Sequence, residues 1–198
     1  MQKHLVLLIS VLFVGFHSTT KAQNFDDYFL EKTLRIDYLH SGNQHSEYIV
    51  LDDVYAYPQW QYSKNTAVAF DFGMFKVEVY DSISNKLIYT KQFSTLFGEY
   101  LYTEEATKSG GLFEESIIIP FPKNTISVKW LIRDKKGVFN EISSHYINPQ
   151  SKDILQPRAG KDYPVRQIHD SGNPRERLDI VLIPDGFTAE EMDLFFLS

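Results

Sequence analysis

Apolar and polar residues alternate with period two through most of the stretch from Phe25 to Asn148. This pattern sets one side of each strand in a core and the other in water. In residues 33–38, Leu34, Ile36 and Tyr38 share one face while Thr33, Arg35 and Asp37 share the other. Residues 40–45 contain Gly42 and Asn43, which tolerate the positive φ of a turn, and residues 47–51 return as the partner strand. A second hairpin runs along residues 75–80, turns at 81–85 and comes back over 86–93. In a third, Ile126, Val128, Trp130 and Ile132 share a face, residues 134–137 turn, and residues 138–147 return. Between the last two, residues 113–120 read as a buried strand closed by Pro120, which has no amide to continue a ladder. Short strands joined by hairpins over a length of this kind predict an all-β class, an antiparallel two-layer β-sandwich over residues 23–148.

The pattern changes after Asn148. Residues 149–176 are largely polar and carry Pro149, Pro157 and Gly160, as expected of a linker. Residues 178–184 then form a nearly continuous apolar run of the kind buried in a parallel or mixed sheet. Thr188 and Glu191 have the spacing of a capping box at the start of a helix. Residues 177–198 therefore predict a short β-α start of an α/β domain, cut off before it can bury its own apolar faces.

The beginning of the chain breaks the alternation in another way. Lys3, the apolar run of residues 5–16 and the polar stretch ending at Ala22 have the three parts of a cleavable signal peptide over residues 1–22. The apolar run falls short of the roughly 20 residues that span a bilayer. The expectation is a secreted or periplasmic protein, with no membrane association after cleavage. The chain has no cysteine, so neither lipid attachment nor a disulfide framework is available. Stability then rests on burial, for which 43% hydrophobic and 15% aromatic residues are ample. A formal net charge of −6 argues against a nucleic-acid partner, because phosphate binding needs a basic face.

Familiar catalytic motifs are missing. The sequence contains no H-E-x-x-H, G-x-S-x-G, P-loop or G-x-G-x-x-G, and no catalytic or metal-ligating residue is assigned. His40 and His45 flank the first turn, but a zinc site wants three or four ligands, so both read as solvated turn residues. The pairs Asp52-Asp53, Glu104-Glu105 and Glu114-Glu115 read as solvated edges or loops, since neighbours on a strand point to opposite faces. The candidate ligand-binding residues are Tyr55, Tyr57, Trp60 and Tyr62 around Pro58. Such rings either stack on sugar faces as a carbohydrate-binding platform or close one end of the core.

Several segments carry a family resemblance. Residues 25–38, FDDYFLEKTLRIDY, resemble the start of the N-terminal domain of the secreted IgA-peptidase family of zinc metallopeptidases of Bacteroidetes type. Residues 86–89 with 93–100 and 103–106 look like the central signature of that domain, and residues 119–123 look like its next strand end. Residues 172–181 leading into 185–191 resemble the entry to the family's peptidase domain. The resemblance implies a non-catalytic β-sandwich whose partner is its own downstream peptidase domain, with contacts to protein or glycoprotein substrates. It also implies a zinc ion held downstream in an H-E-x-x-H helix, with no cofactor in this chain and no peptidase activity from residues 1–198 alone.

Overall fold

Seven strands build two antiparallel sheets in a computed structural model that describes residues 24–66, 72–157, 166–173, 176–177 and 180–197. They are β1 (Phe29–Gly42), β2 (Glu47–Tyr57), β3 (Phe75–Asp81), β4 (Leu87–Phe93), β5 (Gly111–Pro122), β6 (Ile126–Arg133) and β7 (Phe139–Ile147). One sheet has the order β2-β1-β5 and the other β4-β3-β6-β7. This is the all-β sandwich that the alternation predicts, and the three hairpins pair as expected.

The core lies between the sheets because the apolar half of each alternation points there. Leu34 and Ile36 of β1, Val77 and Val79 of β3 and Val128 of β6 are all 0% exposed. Tyr38 meets Trp130 edge-on, with ring centroids 5.5 Å apart. Full burial contributes about 1.5–3 kcal/mol for each such side chain, which explains how the fold dispenses with disulfides.

Three local readings are corrected. β1 runs on through Gly42, so His40 lies in a strand and the turn is only residues 43–46. At Gly42 (φ 149°) a Cβ would stand 2.2 Å from the Ser46 carbonyl oxygen, so only glycine lets the two strands meet this closely. Pro120 does not close β5, which continues to Pro122. β5 is an edge strand whose register with β1 slips between Leu30 and Thr33, beside Pro120, and edges and irregularities are where a sheet accepts proline. The alternation also hides two short helices, α1 (Phe25–Tyr28) and α2 (Leu96–Tyr100).

The residues after Asn148 behave in two ways. Residues 148–156 fold back along the sandwich, and Leu155 forms a parallel bridge with Tyr55 at the edge of β2. The first part of the predicted linker is thus docked. Ile180, Val181, Leu182 and Ile183 are all more than half exposed and belong to no strand. An apolar run of this kind needs sheet neighbours on both sides, and the described residues offer none. Its helical sequel does form: a 3-10 turn at Ala189–Glu191 leads into α3 (Met192–Leu197). The Thr188 amide donates to Glu191 Oε2 at 2.9 Å, the reach-back half of a capping box. Among the described residues no helix is long and apolar enough to cross a membrane. The expected signal peptide, residues 1–22, lies outside the described residues.

Candidate functional site

The four predicted ring positions separate into two pairs. Tyr55 and Tyr57 flank buried Ala56 on β2, so the pleat puts both rings on the outer face of their sheet. Tyr55 stands opposite Arg35 of β1, and Tyr57 opposite Thr33. The Tyr55 hydroxyl donates to Asp53 Oδ2 at 3.0 Å, and that carboxylate pushes the phenol's pKa up. The Arg35 guanidinium lies 5.7 Å over the Tyr55 ring and donates through Nε and Nη2 to the Asp37 carboxylate, at 2.6 and 2.9 Å. This bidentate pairing raises the Arg35 pKa. On this outer face the Tyr55 ring is thus linked to the polar side chains of Asp53, Arg35 and Asp37.

Trp60 belongs to the core. It is 2% exposed, 6.2 Å from the ring of Phe25 in α1 and 6.5 Å from the ring of Tyr89 in β4. Its Nε1 donates to the Ser63 carbonyl at 3.2 Å, which satisfies the one polar atom of the buried indole. Tyr62 lies against Trp60, 5.0 Å between centroids, and is 51% exposed. Of the two readings left open for this cluster, the structure gives Trp60 the second: its ring closes one end of the core.

Tyr57 also borders a cleft. The returning segment after β7 encloses a space of about 240 Å³ lined by Lys32, Tyr57, Pro58, Phe121, Pro149 and Ile154. Pockets that bury a drug-sized ligand run from about 300 to 1,000 Å³, so this cleft suits a single side chain better than a whole small molecule.

His40 is the site that pattern reading missed. Read as a solvated turn residue, it is 1% exposed, because β1 extends past it and its neighbours on either side point outward. Its Nδ1 lies 3.1 Å from Glu115 Oε2 and its Nε2 lies 3.1 Å from Glu47 Oε2. The ring stacks on Phe97 of α2 at 3.8 Å and meets Phe75 edge-on at 5.1 Å. Glu115 in turn accepts from the Phe97 amide at 3.4 Å. The sequence signal was present: extending the inward set Leu34, Ile36, Tyr38 by one more step of two reaches residue 40. His45, by contrast, is exposed in the turn, where its amide donates to Asn43 Oδ1 at 2.8 Å.

None of this fits a zinc ion. The two carboxylates address opposite nitrogens of the His40 ring and so do not converge on one point. Among the described residues no group of three or more His, Asp or Glu side chains is arranged to hold a metal. Of the acidic pairs, Glu114-Glu115 is not the solvated edge that the sequence predicts: Glu114 is exposed, but Glu115 points inward to His40, because neighbours on a strand face opposite ways. Asp52 and Asp53 are both exposed, and Glu104 lies outside the strands, ion-paired with Lys108.

A comparison with family models gives one match, described as Peptidase M64 N-terminus, over residues 24–144. That span begins with α1 and reaches into β7, so it takes in both sheets. A search of curated proteins returns no match.

Proposed function

Because this chain belongs to the family of peptidase M64 N-terminal domains, we propose that it is the non-catalytic accessory domain of an exported zinc metallopeptidase. In this reading the sandwich positions a catalytic domain that follows it, or holds protein substrate for that domain. The observation that carries the proposal is the match over residues 24–144, which coincides with the sandwich itself. Two features support it. Residues 148–156 are strapped to the β2 edge, so the chain leaves the sandwich in a set direction. The exposed run at residues 180–183, followed by a capped helix, has the character of a strand and helix made to pack against further chain. Zinc is expected in that following domain, and the signal-like residues 1–22 supply the export route.

The experiment compares two forms of the longer protein in which a peptidase domain follows these residues, with and without residues 24–147. Deletion is expected to spare chelator-sensitive cleavage of a short peptide and to lower cleavage of a folded protein several-fold. Equal loss on both substrates, or no loss on either, overturns the accessory role. The present chain alone is expected to show no chelator-sensitive proteolysis.

A further inference from the structure

We propose that His40, held as an imidazolium between Glu47 and Glu115, is a pin that closes the hairpin end of the sandwich and lets it open when the pH rises. This does not depend on the enzyme reading above. A neutral imidazole has one N–H, so it can donate to only one of two carboxylates. With carboxylate oxygens 3.1 Å from both nitrogens, the neutral ring would set a bare nitrogen lone pair against an anionic oxygen. Only the doubly protonated ring donates to both, and at 1% exposure no bulk water relieves the mismatch.

The surroundings agree on sign. From β1, Tyr38 reaches the same Glu115 carboxylate. From β2 comes Glu47, from β5 comes Glu115, and from the α2 turn come Thr95, which also bonds Glu115, and the uncharged Phe97 ring. The opposite sheet presents the Phe75 ring, while His145 packs against Trp130 and bonds Ser143 at 2.7 Å. Burial works against charging the His40 ring, but hydrogen bonds to Glu115 and Glu47 outweigh it and its pKa is raised. Burial also opposes the Glu115 carboxylate, and bonds from His40, Thr95 and Tyr38 outweigh it, so its pKa is lowered.

The placement turns a charge into a mechanical link. His40 is two residues from the end of β1, Glu47 opens β2, Glu115 lies on β5 and Phe97 sits in α2. The tip of the hairpin is tied to the same region, with the Gln44 amide donating to the Ala106 carbonyl and its side chain to the Leu101 carbonyl. With folded-state protonation favoured, the pin's contribution is whole below the ordinary histidine value and is lost as pH rises through the higher folded value. On the acid side it is lost as Glu115 protonates below the ordinary carboxylate range. Raising the pH thus leaves two carboxylates beside a neutral ring and loosens the hairpin tip and α2 while the strands further along β1 stay packed.

The test is an imidazole nitrogen NMR titration of the full chain, with amide exchange measured in parallel. His40 is assigned by difference from His40→Gln, or, if that variant does not fold, from the signal displaced in Glu47→Gln, whose carboxylate sits near the rim at 13% exposure. Expected is one histidine that keeps both nitrogens protonated above the ordinary histidine value and loses a proton only at higher pH. Amides of residues 40–47 and 95–106 lose protection at the same pH. Glu47→Gln should bring both transitions down together by about one pH unit, the scale of a lost charged partner. A His40 that loses its proton at or below the ordinary histidine value, amides that stay protected through its titration, or a Glu47→Gln variant with unmoved transitions would each overturn the pin.

Discussion

Leu155 pairs with Tyr55 through the backbone: its amide donates to the Val54 carbonyl at 2.8 Å, and its carbonyl accepts from the Ala56 amide at 2.9 Å. β2 is an edge strand, and an uncovered edge is a template for unwanted pairing. The strap covers part of it with the chain's own linker. Leu155→Pro removes the donor and should cost roughly 1–3 kcal/mol. Leu155→Ala keeps both hydrogen bonds and trims a side chain already 40% exposed, so it should cost less than about 1 kcal/mol. Urea midpoints of the two variants check this, and equal losses would mean that side-chain packing, not the bridge, holds the segment.

Trp60 and Tyr62 touch, yet truncating them should have very different effects. Trp60→Ala empties a space between α1, β4 and the turn after β2, and large aromatic truncations in cores cost about 3–5 kcal/mol. Tyr62→Ala removes a ring that is 51% exposed and should cost about 1 kcal/mol or less. Denaturation followed by far-ultraviolet circular dichroism separates the two. A Trp60→Ala variant as stable as the wild type would contradict the core assignment.

These two cases show where pattern reading succeeds and where it stops. Alternation is a property of a strand's own sequence, so the inward set Leu34, Ile36, Val77, Val79 and Val128 was legible, and with it the all-β class. Trp60 was ambiguous because its burial depends on Phe25 and Tyr89, 35 and 29 residues away in the chain. His40 was misplaced because a turn rich in Gly and Asn hides how far the strand before it extends, and because its partner Glu115 arrives from a strand 75 residues later. The run at residues 180–183 has the composition of a buried strand, but composition cannot supply the neighbouring strands it needs. α2 escaped because a helix of five residues is too short for a 3.6-residue period to show.

The turn after β3 carries an acid-sensitive contact. Asp81 is 4% exposed, and its Oδ2 accepts from the Ser84 amide at 2.8 Å and the Ser84 hydroxyl at 2.6 Å. Burial opposes the charge, but the Ser84 bonds outweigh it and hold the carboxylate below its ordinary value of 3.8. A lowered folded value means a contribution that is present above the ordinary value and lost as pH falls through the folded one. Asp81→Asn, which keeps the shape without the charge, should therefore be less stable than the wild type at neutral pH by about 1–2 kcal/mol. The gap should close in acid. Urea midpoints of both proteins down the acid range measure it, and a constant gap would show that Asp81 acts through shape alone.

Removing the charge of Lys91 should have the opposite effect on stability. In the β3–β4 ladder it stands opposite Val77, on the inward side of β4, and its Nζ donates to the Ile118 carbonyl of β5 at 3.3 Å. Burial lowers its pKa from the ordinary lysine value of 10.5, so the fold disfavours the ammonium relative to the unfolded chain. One hydrogen bond from a charged donor returns about 1.5–3 kcal/mol, whereas removing an ammonium from water costs several, so desolvation decides the balance. Lys91→Met keeps the length and volume and discards the charge, and it should raise stability at neutral pH by about 1 kcal/mol. Between the folded and the ordinary value the unfolded chain binds more protons, so wild-type stability gains on the variant as pH rises through that window. The advantage of Lys91→Met, read as a difference in urea midpoint, should shrink from neutral pH toward the ordinary lysine value. A variant less stable than the wild type at every pH would mean that the bond to Ile118 outweighs the burial of the charge.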